Sequence, residues 1–252
     1  MELNTKAGNA DVVIVGIPFD ENSSYLKGAA LAPDAIRNAL HSTRSNLCTE
    51  SGLDLGHSNQ WTDDGDIEWS DEELNNPDSA FKRIEDTIHD CVQNGSLPLV
   101  LGGDHSIAYP VIRAMASRYE QLTVLQLDAH PDLYDELDGN RYSHACPFAR
   151  IMEDGLISRL VQVGIRTTTP HQREQAVRLK VESIEARIWN PDMNLRLDAP
   201  LYISLDLDVL DPAFAPGVSH PEPGGLSTRE VIRLIQSIDA PIVGADIVEL
   251  KP

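Results

Sequence analysis

Three stretches of this sequence run straight from buried-type apolar residues into side chains that bind metals. Val124, Leu125, Gln126 and Leu127 lead into Asp128, Ala129, His130, Pro131 and Asp132. Leu99, Val100 and Leu101 lead through Gly102 and Gly103 to Asp104 and His105, and the run from Leu201 to Leu205 leads to Asp206 and Asp208. Short apolar runs of this kind form strands covered on both faces. A carboxylate cannot follow such a strand into the interior without compensation, so each run must end at a surface or at a cation. The chain is therefore constrained to a fold that brings several strand ends together.

The remaining pattern supplies that fold. Residues 12–17, 97–101, 123–127, 160–163, 201–205 and 242–247 read as strands, with 181–184 as a further one. Residues 33–40, 79–91, 107–119, 147–153, 173–179 and 228–238 read as helices. Phe81, Ile84, Ile88 and Cys91 fall on one face of the second, and Ser227 or Thr228 caps the last. The polar, acidic stretch 41–76 reads mostly as loop, with 53–55 as a short edge strand. Alternating strands and helices predict an α/β fold of three layers, α-β-α, around a central mostly parallel sheet. No linker or repeat divides the 252 residues, and a single domain is expected. In such sheets ligands bind beyond the carboxyl ends of the strands. His105, Asp128, Asp206 and Glu249 each follow an apolar run at such an end.

The formal charge of −20 argues against nucleic-acid and anionic-membrane partners. It suits a small cationic substrate and equally suits solubility in a salty cytoplasm. Three widely spaced cysteines, Cys48, Cys91 and Cys146, make a disulfide framework improbable and fit a reducing compartment. No apolar run reaches the ~18 residues of a membrane span. The first residues lack the pattern of a signal or transit peptide, so a cytoplasmic location is expected, or an organelle if a targeting segment has been removed.

Asp128, His130 and Asp132 alternate, and in an extended segment i, i+2 and i+4 point the same way. Asp206 and Asp208 repeat the spacing. With His105 this gives two imidazoles and four carboxylates, a donor set for Mn²⁺ or a similar divalent ion rather than for a thiolate zinc site. Four carboxylates exceed the needs of one ion and match a pair sharing bridging carboxylates, which can activate a water near neutral pH. Any one stretch alone is explained as strand-end turn residues. Three together are not, because burying so much carboxylate without cations is costly.

The sequences Gly-Gly-Asp-His-Ser at 102–106, Asp-Ala-His-Pro-Asp at 128–132 and Ser-Leu-Asp-Leu-Asp-Val-Leu-Asp-Pro at 204–212 resemble the three signatures of the ureohydrolases, the family of arginases, agmatinases and formiminoglutamases. The segments 141–145, 148–153, 161–166 and 214–227 look closest to plant-type arginases. The resemblance implies an arginase-like fold and two Mn²⁺ per subunit, with Ni²⁺ or Co²⁺ as substitutes. It implies that His105 and Asp132 hold one ion, His130 and Asp208 the other, and that Asp128 and Asp206 bridge them. Glu249 would receive the substrate's guanidinium and His144 would shuttle a proton to the leaving amine, with Asp208 as the competing acid. Asn140 and Ser143 would help recognise the far end of the substrate, and His220 would line the site. Cys146 reads as a packed thiol, and His41, His57, His89 and His171 as surface residues. The implied reaction is hydrolysis of L-arginine to L-ornithine and urea. The alternatives are agmatine or another guanidino compound, and more remotely an inactive metal-binding relative. A homo-oligomer, trimer or hexamer, is implied. Relatives usually continue past the position of Pro252 into a final helix that packs on the sheet, and the sequence here ends without it.

Overall fold

The computed structural model describes residues 12–44, 46–198 and 200–252. Eight strands form one sheet in the order β2-β1-β3-β8-β7-β4-β5-β6. They are β1 Val12–Ile17, β2 Trp61–Asp66, β3 Leu97–Gly102, β4 Thr123–Leu127, β5 Arg159–Ile165, β6 Glu182–Glu185, β7 Leu201–Asp206 and β8 Ile242–Val248. Every strand pair is parallel. The helices are α1 Ala32–Leu40, α2 Asp71–Leu74, α3 Pro77–Gln93, α4 Ala108–Ala116, α5 Pro147–Glu153, α6 Pro170–Arg178 and α7 Thr228–Gln236.

Two apolar clusters flank the sheet, as a doubly covered parallel sheet requires. On one side Val13, Val15, Val100, Val124 and Tyr202 pack with Ile84 and Ile88 of α3, Ile112 and Met115 of α4, and Ile151 of α5. On the other, Leu125, Leu127, Val161, Val163 and Ile203 pack with Val231 and Leu234 of α7.

The acidic stretch 41–76 departs from expectation. Residues 61–66 are an edge strand rather than loop, and Asp71–Leu74 is a short helix with a Ser70–Glu73 capping box. In place of an edge strand at 53–55 there is an isolated antiparallel bridge between Cys48 and Asp54. The edge strand is mostly exposed, so it carries no apolar alternation to read. It is held by a paired interaction of Arg37 of α1 with Asp63, at 2.8 and 2.9 Å. Charges on an edge strand also discourage pairing with other chains. The expected helix at 107–119 is shorter: a 3₁₀ turn, His105–Ile107, precedes α4. α6 begins at Pro170, three residues earlier than expected, because Thr169 and Gln172 form a capping box.

The strand order positions the site. β3, β8, β7 and β4 are neighbours at the centre of the sheet. Leu127 pairs with Leu205, so Asp128 and Asp206 leave the sheet at the same level. Asp206 pairs with Val248, which puts Glu249 one residue beyond. On β3 the exit is set by Gly103, whose N–H donates to Ile17 O at 3.1 Å while Asp104 N–H donates to Phe19 O at 2.8 Å. A Cβ on Gly103 would lie 1.8 Å from the Phe19 carbonyl oxygen. Backbone must move to admit it, and Gly103→Ala is expected to cost about 3 kcal/mol or more in urea unfolding. An unchanged midpoint would show that this close approach does not set the path of the chain.

Candidate metal centre

His105 leads the site. Asp104 caps the turn that carries it, accepting from Ser106 N–H at 3.0 Å. The His105 Nδ1 atom lies 3.1 Å from Asp128 Oδ2, 3.0 Å from Asp132 Oδ2 and 3.3 Å from Asp206 Oδ2. It is buried and has no hydrogen-bond partner of good geometry among the described residues. The opposite ring atom, Nε2, is 3.0 Å from Ser204 Oγ. Ser204 Oγ donates its own hydrogen to Asp246 Oδ1 at 2.7 Å, and Tyr202 donates to the other oxygen at 2.8 Å. Ser204 must therefore accept from Nε2–H. Nδ1 is left as the atom that takes a proton or a cation, as expected of a metal-binding histidine whose other ring nitrogen is held by a hydrogen bond. The edge of Phe148 closes the apolar side of the ring, with centroids 5.2 Å apart.

A second group adjoins the first. His130 Nδ1 is 2.8 Å from Asp208 Oδ2 and 3.6 Å from Asp128 Oδ1. Two sets of three ligand atoms result, His105–Asp128–Asp132 and Asp128–His130–Asp208, with Asp128 common to both. Backbone and amide groups fix the carboxylates. Asp128 accepts from Gln126 Nε2 at 2.7 Å and His130 N–H at 2.6 Å; Asp208 accepts from Ala129 N–H at 3.0 Å; Asp206 accepts from Asp208 N–H at 2.8 Å. The Arg166 guanidinium clamps the turn behind Asp208, donating at 2.6 Å to the carbonyls of Asp208 and Glu222.

The charges are unbalanced among the described residues. Burial raises Asp206 well above the usual carboxylate range, and its neighbours Asp208 and Asp128 raise it further. Burial and Asp128 push Asp132 up to about 6. Burial lowers the His130 imidazolium, but Asp208 and Asp128 outweigh it and push it up to about 12. Such a cluster takes up protons when nothing else is available. The lone pair of Nδ1 aimed among three carboxylate oxygens fits a divalent cation better. The donor set thus could bind metal.

The alternation of Asp128, His130 and Asp132 is not the reason that they converge. The strand stops at Leu127, and Asp132 has a left-handed backbone with φ 51°. Extended alternation is thus broken, and the side chains meet because the chain turns back over the strand ends. Asp208 likewise sits in a 3₁₀ turn, Leu207–Val209, after its strand.

Beside the carboxylates lies a second set. Glu249, at φ 63°, accepts from His105 N–H at 2.9 Å, from His144 Nδ1 at 2.8 Å and from Ser219 Oγ at 3.1 Å. These contacts overcome the effect of burial and hold its carboxyl at about 2. His144 Nε2 meets Ser24 Oγ at 2.8 Å. Burial lowers the His144 imidazolium, but the hydrogen bond and charge of Glu249 push it up to about 9. His220 stands between His144 and His130, with ring centroids 5.3 and 5.9 Å away.

A cavity of about 210 Å³ joins both sets, and its wall includes His130, Asp132, His144, Asp206, Asp208, His220 and Glu249. Asn140 and Ser143 are not in that wall. The Asn140 amide is bonded to Asn22 and Tyr142, and Ser143 is buried in the turn that precedes α5. Ser24, Tyr134, Thr167, Thr169 and Gln172 line it instead. No motif marks those five. Gln126, Gln162 and Ser204 could have been suspected, as polar residues within otherwise apolar strands.

The sequence profile of the Arginase family matches residues 10–252. "Arginase 1, mitochondrial" of Arabidopsis thaliana is 46% identical over 256 residues, covering 96% of this chain and 74% of that protein. This chain belongs to the arginase family. "Agmatinase, mitochondrial" of Gallus gallus is 35% identical, covering 100% of this chain and 77% of that one. The structure of arginase from Medicago truncatula superposes with a TM-score of 0.87 at 40% identity, covering 97% of this chain and 80% of that one. Family membership makes the chain a hydrolase of guanidino or amidine bonds. Cys146 is a packed thiol in this arginase-family fold, buried and pushed up to about 12. His41, His57 and His171 are exposed and His89 is half-buried, all outside the cavity wall. No helix among the described residues is long and apolar enough to cross a membrane.

The His144–Glu249 pair gives a pH expectation for the metal-free protein. In NMR titration the imidazole of His144 should titrate near 9, and Glu249→Gln should return it to about 6.5 or below. A raised folded value stabilises the fold fully below the unfolded value of ~6.5, and that contribution is lost as pH rises through about 9. A His144 titration unmoved by Glu249→Gln would contradict the pairing.

Proposed function

We propose that this chain is a binuclear manganese-dependent arginase that converts L-arginine to L-ornithine and urea. The observation that carries this reading is the pair of ligand triads sharing Asp128, set beside a cavity of about 210 Å³ whose wall holds the Glu249 carboxylate. His105 and Asp132 would hold one ion, His130 and Asp208 the other, with Asp128 and Asp206 between them. Bound divalent ions supply water activated as a nucleophile near neutral pH.

The chain's own groups do the rest. Glu249 stays ionised and offers a charge-assisted, directional contact to a guanidinium. It is fixed by three donors, so the substrate carbon is held in one place, which lowers the entropic part of the barrier. His144 keeps a proton on its ring at neutral pH because Glu249 supports it, and gives that proton to the leaving amine. Asp208, raised by burial and by Asp128, is the competing acid. Ser24, Thr167, Thr169 and His220 would meet the far end of the substrate.

Agmatine is the second reading. Among the described residues the cavity wall contains no Lys or Arg to pair with an α-carboxylate, and an agmatinase is among the relatives. The hydroxyl groups of Ser24, Thr167 and Thr169 remain able to hydrogen-bond a carboxylate, and the higher identity to plant arginases favours arginine.

Urea release should be measured for arginine, agmatine, 4-guanidinobutyrate and guanidine, each with Mn²⁺ and with Ni²⁺. Arginine with Mn²⁺ is expected to be hydrolysed fastest. No urea from any of the four in fully metallated protein would overturn the enzyme reading, and a clear preference for agmatine would overturn the substrate. Asp128→Ala is expected to lower urea release at least about a thousandfold while the protein stays folded, since one residue serves both triads.

A further inference from the structure

The loop between β1 and α1 crosses the site, and in it Asn22 has every polar atom engaged. It is buried. Its backbone N–H donates to Asp104 Oδ2 at 3.0 Å, and its carbonyl accepts from His144 N–H at 3.1 Å. Its side-chain Nδ2 donates to Ser106 Oγ at 3.1 Å. Ser106 Oγ donates to Asp104 Oδ1, so it must accept from Asn22, and this fixes the amide's orientation. Asn22 Oδ1 is then turned outward and accepts from Asn140 Nδ2 at 3.1 Å. Asn140 Oδ1 in turn accepts from Tyr142 N–H at 2.8 Å.

These bonds join segments that the sequence keeps far apart. Asp104 and Ser106 flank His105 on the end of β3. Asn140, Tyr142 and His144 lie on the loop after Asp132, whose described secondary structure is one isolated bridge, Leu137 to Asn140. Tyr134 N–H donates to Ala145 O at 3.1 Å and Cys146 N–H to Ser143 O at 2.9 Å, which tie the loop to itself but not to the end of β3, while the His144 ring stands 2.8 Å from Glu249. Asn22 supplies an attachment of His144 to the end of β3, and Ser24 of the same loop meets the far side of the ring.

We propose that Asn22 and Asn140 form a latch that positions His144 against Glu249, and that Asn140 serves His144 rather than the far end of the substrate. The inference deepens the proposed function and rests on its assignment of proton transfer to His144. Both asparagines are positioning residues. A contact to an α-carboxylate would need the Asn140 amide in the cavity wall, whereas Asn140 lies outside that wall, gives an amide hydrogen to Asn22 and accepts from Tyr142 N–H.

The test compares Asn140→Ala, Asn140→Asp, Asn22→Ala and the Asn22→Ala/Asn140→Ala double variant. Asn140→Asp keeps the acceptor for Tyr142 N–H but cannot donate to Asn22, so it should behave like Asn140→Ala. For every guanidino substrate that the parent hydrolyses, kcat should fall about tenfold or more, with KM within about twofold. The double variant should be within about twofold of the slower single one, as expected of residues acting through one bond. In metal-free protein the NMR titration of His144 should fall below its value near 9 in Asn140→Ala. A loss confined to KM for arginine, full activity in Asn140→Asp, or additive effects would overturn the latch. An unmoved His144 titration in Asn140→Ala, which alters a half-exposed residue and does not depend on the fate of Asn22→Ala, would also overturn it. If the parent released no urea at all, the functional reading would fail while the titration still decided the latch.

Discussion

The structure turns on the burial of four carboxylates around two imidazoles, at the carboxyl ends of adjacent strands. Asp128, Asp132, Asp206 and Asp208 are all nearly inaccessible to solvent. Like charges at such distances repel strongly in a low-dielectric setting, and the desolvation of each carboxylate adds to the cost. Among the described residues the only cationic groups placed within the cluster are His105 and His130. A pair of divalent cations would offset what these imidazoles cannot, and the sheet behind them is built to keep the ligands in place while that happens.

That support is polar as well as apolar. Gln162 donates to Gln126, which donates to Asp128; Tyr202 and Ser204 donate to Asp246, and His105 donates to Ser204. These side chains replace apolar contacts in strands that are otherwise Val, Leu and Ile. A hydrogen-bonded side chain buried in this way fixes the orientation of its neighbour because no water competes for its bonds. Backbone strain tells the same story. Asp132 and Glu249 are two of the four described non-glycine residues with left-handed φ. Such conformations are unfavourable for residues with a Cβ and persist where surrounding bonds impose them. Glu249 N–H is held by Gly103 O at 3.0 Å, and Asp132 lies against His105.

Much of this was legible in the sequence because strand burial and metal chemistry both leave strong local signals. Continuous Val, Leu and Ile runs marked the central strands, and the abrupt change to Asp and His marked their ends. The edge strand Trp61–Asp66 was not legible, since an exposed, acid-rich strand held by an arginine from a helix has no apolar period. The path of residues 128–132 was also beyond it: their side chains converge, but not through the extended alternation that the spacing suggests. The far wall of the cavity was missed for a different reason. Ser24, Thr167 and Thr169 are ordinary loop residues until the fold brings three loops together. Asn140 illustrates the reverse, a residue singled out for the substrate by resemblance whose amide the structure turns toward Asn22.

The most direct measurement is the number of divalent ions held by each folded chain. Protein loaded with Mn²⁺, dialysed and measured by inductively coupled plasma mass spectrometry should retain two ions per chain, and chelation should lower its melting temperature. Retention of one ion or none, or a melting temperature indifferent to chelation, would contradict the claim that this carboxylate cluster is built around a metal pair.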